Sequence, residues 1–298
     1  MDIIYQLPFP EEVCSKIFIF ACKSPHTGLG GGILKNKLKN MKLDISDNDD
    51  DIIIFNSEEI LNYPQDYPID LCFFSCFRNL TEINITQDIG IYGDIYNLKC
   101  LLNLNKIKLW DTNVSGNIKN LKWLSNLNEI DLFNTGITGD IVDLKYLYNL
   151  KEVYMFNTNI TGDISNLKML SNFTKIVLNN TEVTGDISNL KYLHNLTEIA
   201  LANTSVTGDI SKLKSLKKLR EIWLVNTDIT GDIYNLSSLT NLTDIYLSQT
   251  KITGDLFNLR NLANLKYIYM INTCMKGDEK KFNEYRESKN LKKSIVCI

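Results

Sequence analysis

A chain of 298 residues is about twice the usual domain length, long enough to bury a substantial core. Its 44% apolar and 22% charged residues exclude a mainly disordered protein. A formal charge of −3 excludes a general electrostatic affinity for nucleic acid or for an anionic membrane, and no apolar stretch is long enough to cross a bilayer.

Met1 to Pro8 lack the basic flank, apolar run and small-residue cleavage site of a secretory signal. The seven cysteines (Cys14, Cys22, Cys72, Cys76, Cys100, Cys274, Cys297) form an odd set without a CxxC pair. Reduced thiols in an intracellular, cytoplasmic protein are expected. Matches to Asn-x-Ser/Thr, such as Asn195-Leu196-Thr197, are then by-products of an Asn- and Thr-rich sequence rather than glycosylation sites.

In residues 1–40, Pro10-Glu11-Glu12 is a good helix start, with proline first and acids in the first turn. Val13, Ile17, Phe20 and Ala21 then share one helical face. Leu7-Pro8, Glu12-Val13, Ile17-Phe18 and Cys22-Lys23 together resemble the opening of an F-box. That resemblance implies docking to the adaptor of a cullin-type ubiquitin ligase through Leu7, Pro8, Val13, Ile17 and Phe18. The other reading is a helical cap. Gly28-Leu29-Gly30-Gly31-Gly32 is read as a flexible joint, because no Gly-Lys-Ser/Thr follows and Ile33 stands where a dinucleotide fingerprint has its third glycine. Residues 41–79 read as an N-terminal cap and linker. There Asp47, Asp49, Asp51 and Glu58 match a calcium-loop spacing, but Ile52 replaces the turn glycine and Ile52-Ile53-Ile54-Phe55 reads as a strand. An acidic surface loop is expected, with no metal and no cofactor.

From residue 80 to 277 one glycine recurs every 23 residues, at Gly93, Gly116, Gly139, Gly162, Gly185, Gly208, Gly231, Gly254 and Gly277. Nine units begin at Leu80, Leu104, Leu127, Leu150, Phe173, Leu196, Leu219, Leu242 and Leu265. The spacing Leu196, Ile199, Leu201, Val206 resembles the leucine-rich-repeat family, and the abundance of Asn, Ile and Lys resembles repeat proteins of protists and large DNA viruses. The family resemblance implies an α/β solenoid, a curved right-handed repeat with a parallel sheet on its concave face and short extended or 3₁₀ return segments. It also implies a role in holding another protein. One departure is Thr204, with equivalents from Thr112 to Thr273, where the family has an inward asparagine. A threonine hydroxyl can run a similar hydrogen-bonding ladder.

Alternation places Ile199 and Leu201 inside and residues 200 and 202 outside. The glycine is expected to make a tight or positive-φ turn after the strand. Ile210, Leu213 and Leu216 return along the back toward the same core. No unit can bury its apolar row alone, so stability comes from stacking. The first unit carries one extra residue before Gly93, which predicts a bulge or looser turn. In residues 278–298, Glu279 replaces an apolar residue and a lysine-rich, helical C-terminal cap is expected.

The outward strand positions carry the functional expectation. One column reads Asn84, Lys108, Asp131, Tyr154, Val177, Ala200, Trp223, Tyr246 and Tyr269, and the next reads Thr86, Trp110, Phe133, Phe156, Asn179, Ala202, Val225, Ser248 and Ile271. Two apolar patches follow: Trp110, Phe133, Tyr154 and Phe156, and then Trp223, Val225, Tyr246, Tyr269 and Ile271, separated by Asn179, Ala200 and Ala202. Glu82, Glu129, Glu152, Glu198, Glu221 and Asp244 form an acidic row relieved by Lys106 and Lys175. Contiguous exposed aromatics mark interfaces, although aromatics also simply suit strands.

Two other arrays need a reading. Asp94, Asp140, Asp163, Asp186, Asp209, Asp232, Asp255 and Asp278, with Asn117 in the series, are expected to cap backbone amides rather than bind cations. Lys99, Lys122, Lys145, Lys168, Lys191, Lys214 and Arg260, interleaved with Trp123, Tyr146 and Tyr192, form a stripe on the back that is read as a solvated face rather than a nucleic-acid site. Only His26 and His194 are present, and no nucleophile, base and orienting residue assemble. The expectation is a non-catalytic scaffold.

Overall fold

The structure is a computed structural model and describes residues 53–54, 69–76, 80–87 and 90–298. Each unit folds in one order. The unit opening at Leu196 runs through strand Glu198–Ala200, a left-handed residue at Asn203, strand Ser205–Asp209 and 3₁₀ segment Ile210–Ser215. The first strands stack into a parallel sheet of eleven, from Ile53–Ile54 to Ile295–Cys297, and the second strands into a parallel sheet of ten, from Ile69–Asp70 to Cys274–Lys276. This is the expected leucine-rich-repeat solenoid, with a second sheet in addition to the first.

The alternation dictates the core. Leu196, Ile199, Leu201, Val206, Ile210, Leu213 and Leu216 are all completely buried, and their equivalents join one apolar column from Leu71 to Val296. Each such side chain contributes about 1.5–3 kcal/mol by leaving water, but only when the next unit covers it.

Register distinguishes the two sheets. In the first, equivalent residues stand side by side, as Ile176, Ile199 and Ile222 do. In the second, each strand slips by two residues, so that Gly208 faces Ile229 and Asp209 faces Thr230. The glycine keeps the positive φ expected of it but not the turn. It lies within the second strand rather than in a turn, with φ of +115° at Gly208 and +109° at Gly231. The turn after the first strand is instead made by the residue before the threonine, Asn203 at φ 55° and Asn180 at φ 53°, an asparagine's accessible left-handed conformation.

Those asparagines run the ladder between units. Asn180 donates to the Asn157 side-chain oxygen at 2.6 Å, Asn203 to Asn180 at 2.6 Å and Asn226 to Asn203 at 3.0 Å. The threonines do something more local: Thr204 donates to the Leu201 carbonyl and Thr227 to the Leu224 carbonyl, each at 2.6 Å and each within its own unit. The aspartates cap, as expected. Asp209 accepts from the Ser211 amide and Asp186 from the Ser188 amide, both at 2.7 Å, and Asn117 does the same for Lys119 at 2.9 Å.

The two sheets take in residues on either side of the nine units. Asp70 caps the 3₁₀ segment Leu71–Cys76 through the Cys72 amide at 2.7 Å, as later aspartates do. Gln87 is left-handed at φ 58°, while residues 88–89, near the extra residue of the first unit, lie outside the described ones. At the other end, helix Glu279–Ser288 is followed by strand Ile295–Cys297, which pairs with Tyr267–Tyr269. Arg286 of this helix is fully buried and donates to the carbonyls of Lys292 (2.9 Å), Leu262 (2.8 Å) and Leu265 (3.2 Å). One guanidinium thus supplies several donors to main-chain carbonyls at this end of the described stack.

Candidate functional site

The first sheet presents three outward columns, set by the strand's two-residue period. In the unit at Leu127 they are Glu129, Asp131 and Phe133; in the unit at Leu219 they are Glu221, Trp223 and Val225. Neighbouring strands place equivalent side chains against one another, and the rings stack. Trp110 and Phe133 lie 4.9 Å apart at 12°, and Phe133 and Phe156 4.2 Å apart at 12°. Trp223 and Tyr246 lie 3.9 Å apart at 17°, and Tyr246 and Tyr269 5.0 Å apart at 6°. The N-terminal stack occupies the outermost of the three columns, the C-terminal stack the middle one.

Stacking hides ring faces, so these aromatics are half-buried rather than fully exposed; Tyr154 and Val225 are half-buried too, while Ile271 is 48% exposed. Three middle-column positions expected outside are closed off: Asp131 is 9%, Val177 6% and Ala200 2% exposed. Ala200 sits between Val177 and Trp223, so a small side chain is shielded by larger ones on the next strands. Between the stacks, Asn179 turns its oxygen to the Ala202 amide at 2.7 Å.

The acidic row is tied to its surroundings. Lys108 reaches Glu129 at 2.7 Å, Lys175 reaches Glu198 at 3.8 Å, the Tyr154 hydroxyl donates to Glu152 at 2.6 Å and the Trp223 indole to Glu221 at 3.2 Å. Burial and the neighbouring Glu221 push the Glu198 carboxyl upward against the pull of Lys175. Burial, with Asp244 beside it, likewise raises the Tyr246 phenol. The least satisfied group is Asp131, whose pKa stands at about 7, above all because it is buried. Its Oδ1 accepts no hydrogen bond from the described residues. By strand alternation alone Asp131 is an ordinary outward residue, since the burial that matters comes from side chains 23 residues away.

On the back, four stripe lysines lie over aromatic rings of the same segment: Lys99 over Tyr96 at 3.5 Å, Lys122 over Trp123 and Lys145 over Tyr146 at 5.0 Å, and Lys191 over Tyr192 at 4.9 Å. Arg260 stands 4.7 Å from the Phe257 ring. His194 is exposed at the edge of an open depression of about 430 Å³ with Lys191, Lys212 and Lys214. The adaptor-docking candidates Leu7, Pro8, Val13, Ile17 and Phe18, the glycine joint and the calcium-spaced acids all lie outside the described residues.

No protein-family model and no curated protein matches the chain. Solved structures do. The leucine-rich-repeat ectodomain of the Arabidopsis thaliana membrane receptor kinase GASSHO1/SCHENGEN3 is 18% identical at a TM-score of 0.65, over 76% of this chain and 30% of that one. A TDR receptor is 23% identical at a TM-score of 0.65, over 76% and 40%. A plant ice-binding protein is 21% identical at a TM-score of 0.57, over 76% of each chain. The similarity establishes the solenoid fold. This chain spans well under half the length of the two receptors.

Proposed function

We propose that the chain is a non-catalytic scaffold that holds a protein partner against the outward side of its first sheet. The observation that carries this is the pair of ring stacks, Trp110–Phe133–Phe156 and Trp223–Tyr246–Tyr269, each spread over three consecutive units on one face. Such a surface keeps apolar area in contact with water, and aromatic clusters of this kind supply much of the energy of protein interfaces. The acidic row alongside favours a partner with a basic rim. The receptor kinase HAESA, another solenoid of this fold, is seen in complex with a peptide hormone, which supports a peptide segment as the ligand.

The test has two stages. Affinity purification with mass spectrometry identifies the partner, and calorimetry then compares variants against it. Trp223→Ala and Phe156→Ala are each expected to weaken binding by about 1–3 kcal/mol with unchanged circular dichroism. Unchanged affinity in both folded variants places the partner elsewhere.

A further inference from the structure

Around Asp131 the strand face carries more carboxylate than it satisfies. Strand Glu82–Asn84 contributes Glu82, strand Lys106–Lys108 contributes Lys106 and Lys108, strand Glu129–Asp131 contributes Glu129, and strand Glu152–Tyr154 contributes Glu152 and Tyr154. Four carboxylates therefore meet two ammonium groups on these strands, and the next cation, Lys175 beside Glu152, is drawn to Glu198. The two side chains flanking Asp131 in its own column are Lys108 and Tyr154, and both are committed elsewhere. Lys108 is 2.7 Å from Glu129, and the Tyr154 hydroxyl is 2.6 Å from Glu152. The Phe133 amide pulls the Asp131 carboxyl downward, but its Oδ1 is left without a donor among the described residues although the residue is only 9% exposed. A buried acceptor left open is costly, and a donor that reaches it removes that cost.

Along the same strand, Asp131 lies between Glu129 in the acidic column and Phe133 in the ring column. The rings of Trp110, Phe133 and Phe156 turn their faces to one another, so their edges are what an approaching group meets. Edges suit an alkyl stem, whereas a bare cation prefers a ring face.

We infer that Asp131 is the docking point for one arginine of the partner segment on this face, its guanidinium held by Asp131 and the neighbouring glutamates and its stem lying against the Trp110–Phe133–Phe156 edges. This rests on the strand-face reading above and names the chemistry of the partner there. A guanidinium fits better than an ammonium because its planar fork donates to two carboxylates at once, whereas the resident ammonium of Lys108 has closed on Glu129 and left Asp131 open. The docking is pH-dependent. Burial holds Asp131 at about 7, with Glu129 and Glu152 pushing the same way against Lys108 and the Phe133 amide. Burial works against the charge on Lys108, but Glu129, Asp131 and Glu82 together raise its pKa, so it stays charged through neutrality. Arginine binds the ionised form of Asp131, and affinity therefore rises with pH.

The probe is an acetylated, amidated pentapeptide with a central arginine between leucines, compared with its citrulline twin, which keeps the shape and loses the charge. Binding to the full chain is followed by calorimetry and by the indole resonance of Trp110 at pH 6 and pH 8. The arginine peptide is expected to bind about tenfold tighter at pH 8, the change in ionised Asp131 across those values. The citrulline peptide is expected to show no such change. Asp131→Asn, which keeps the side-chain shape, is expected to erase both the pH dependence and the preference for arginine. Equal binding of the two peptides to the native chain, an undiminished preference in Asp131→Asn, or no saturable binding at millimolar peptide overturns the inference. None of these outcomes touches the strand-face reading, which stands or falls on Trp223→Ala and Phe156→Ala against the purified partner.

Discussion

The two sheets are built from the same 23-residue unit and stand in contrast. In the second sheet the unit repeats nearly letter for letter, and the structure supplies a steric reason: each repeat glycine adopts a positive φ, and all but Gly277 have the preceding aspartate or asparagine against them. That aspartate is itself held by the 3₁₀ amide it caps. In the first sheet the inward positions repeat and one outward column is mostly acidic, while the other outward columns vary, from Lys108 and Asp131 to Ala200 and Trp223. Backbone geometry constrains one sheet and leaves the face of the other free, so variation among units points to the side that has acquired a task. Within that face the two ring stacks also differ: one borders an unsatisfied carboxylate, and the other has its Trp223 indole already bonded to Glu221.

The largest effect that sharpens this contrast belongs to the second sheet. At Gly231, φ is +109°, and an added Cβ would stand 2.5 Å from Asp209 Oδ1 and 3.2 Å from Ile210 Cγ2. Gly231→Ala is expected to destabilise by about 3 kcal/mol, combining backbone strain with the displaced cap. Tyr246→Ala on the first-sheet face is expected to cost much less. Urea midpoints for the pair check this, and a larger loss in Tyr246→Ala would break the comparison. Next comes the C-terminal end. Arg286→Met keeps the bulk of the side chain but removes the guanidinium bonds to the carbonyls of Lys292, Leu262 and Leu265, and about 1–3 kcal/mol is expected to be lost. Hydrogen exchange is expected to show the loss first in strand Ile295–Cys297 and the unit beginning at Leu265.

Much of this was legible in the sequence for a simple reason: the period in leucine and isoleucine is a direct record of which side chains face the core. The capping role of Asp209 was also legible, because an acid directly before a helical turn has few other uses. What was missed involves neighbours distant in sequence. Gly208 reads as a turn glycine until the two-residue slip of the second sheet sets it beside Ile229. Asn203 carries no signal of its own until its partners Asn180 and Asn226 are aligned with it. Ala200 reads as exposed because alternation gives direction, whereas burial depends on the size of Val177 and Trp223 on either side. Arg286 is one more cation in a lysine-rich tail until the fold sets it against the carbonyls of Lys292, Leu262 and Leu265.

The smallest effect separates the two ring stacks by their electrostatics. Asp131 beside the N-terminal stack has its pKa raised from the ordinary carboxylate range to about 7, chiefly by burial. A raised carboxyl pKa means that between about pH 4 and pH 7 the folded chain holds a proton that the unfolded chain has released, so folding stability falls as pH rises through that window and levels off above it. Removing the charge removes the slope. The urea midpoint of the native chain is therefore expected to drop between pH 5 and pH 8 relative to that of Asp131→Asn, by on the order of 1–2 kcal/mol, less than the full shift because the site retains some contact with solvent. Glu221→Gln beside the C-terminal stack serves as the control, and the slope is expected to survive in it. If Asp131→Asn keeps the native pH slope, the carboxylate is served by water in solution, and the electrostatic difference between the two stacks disappears with it.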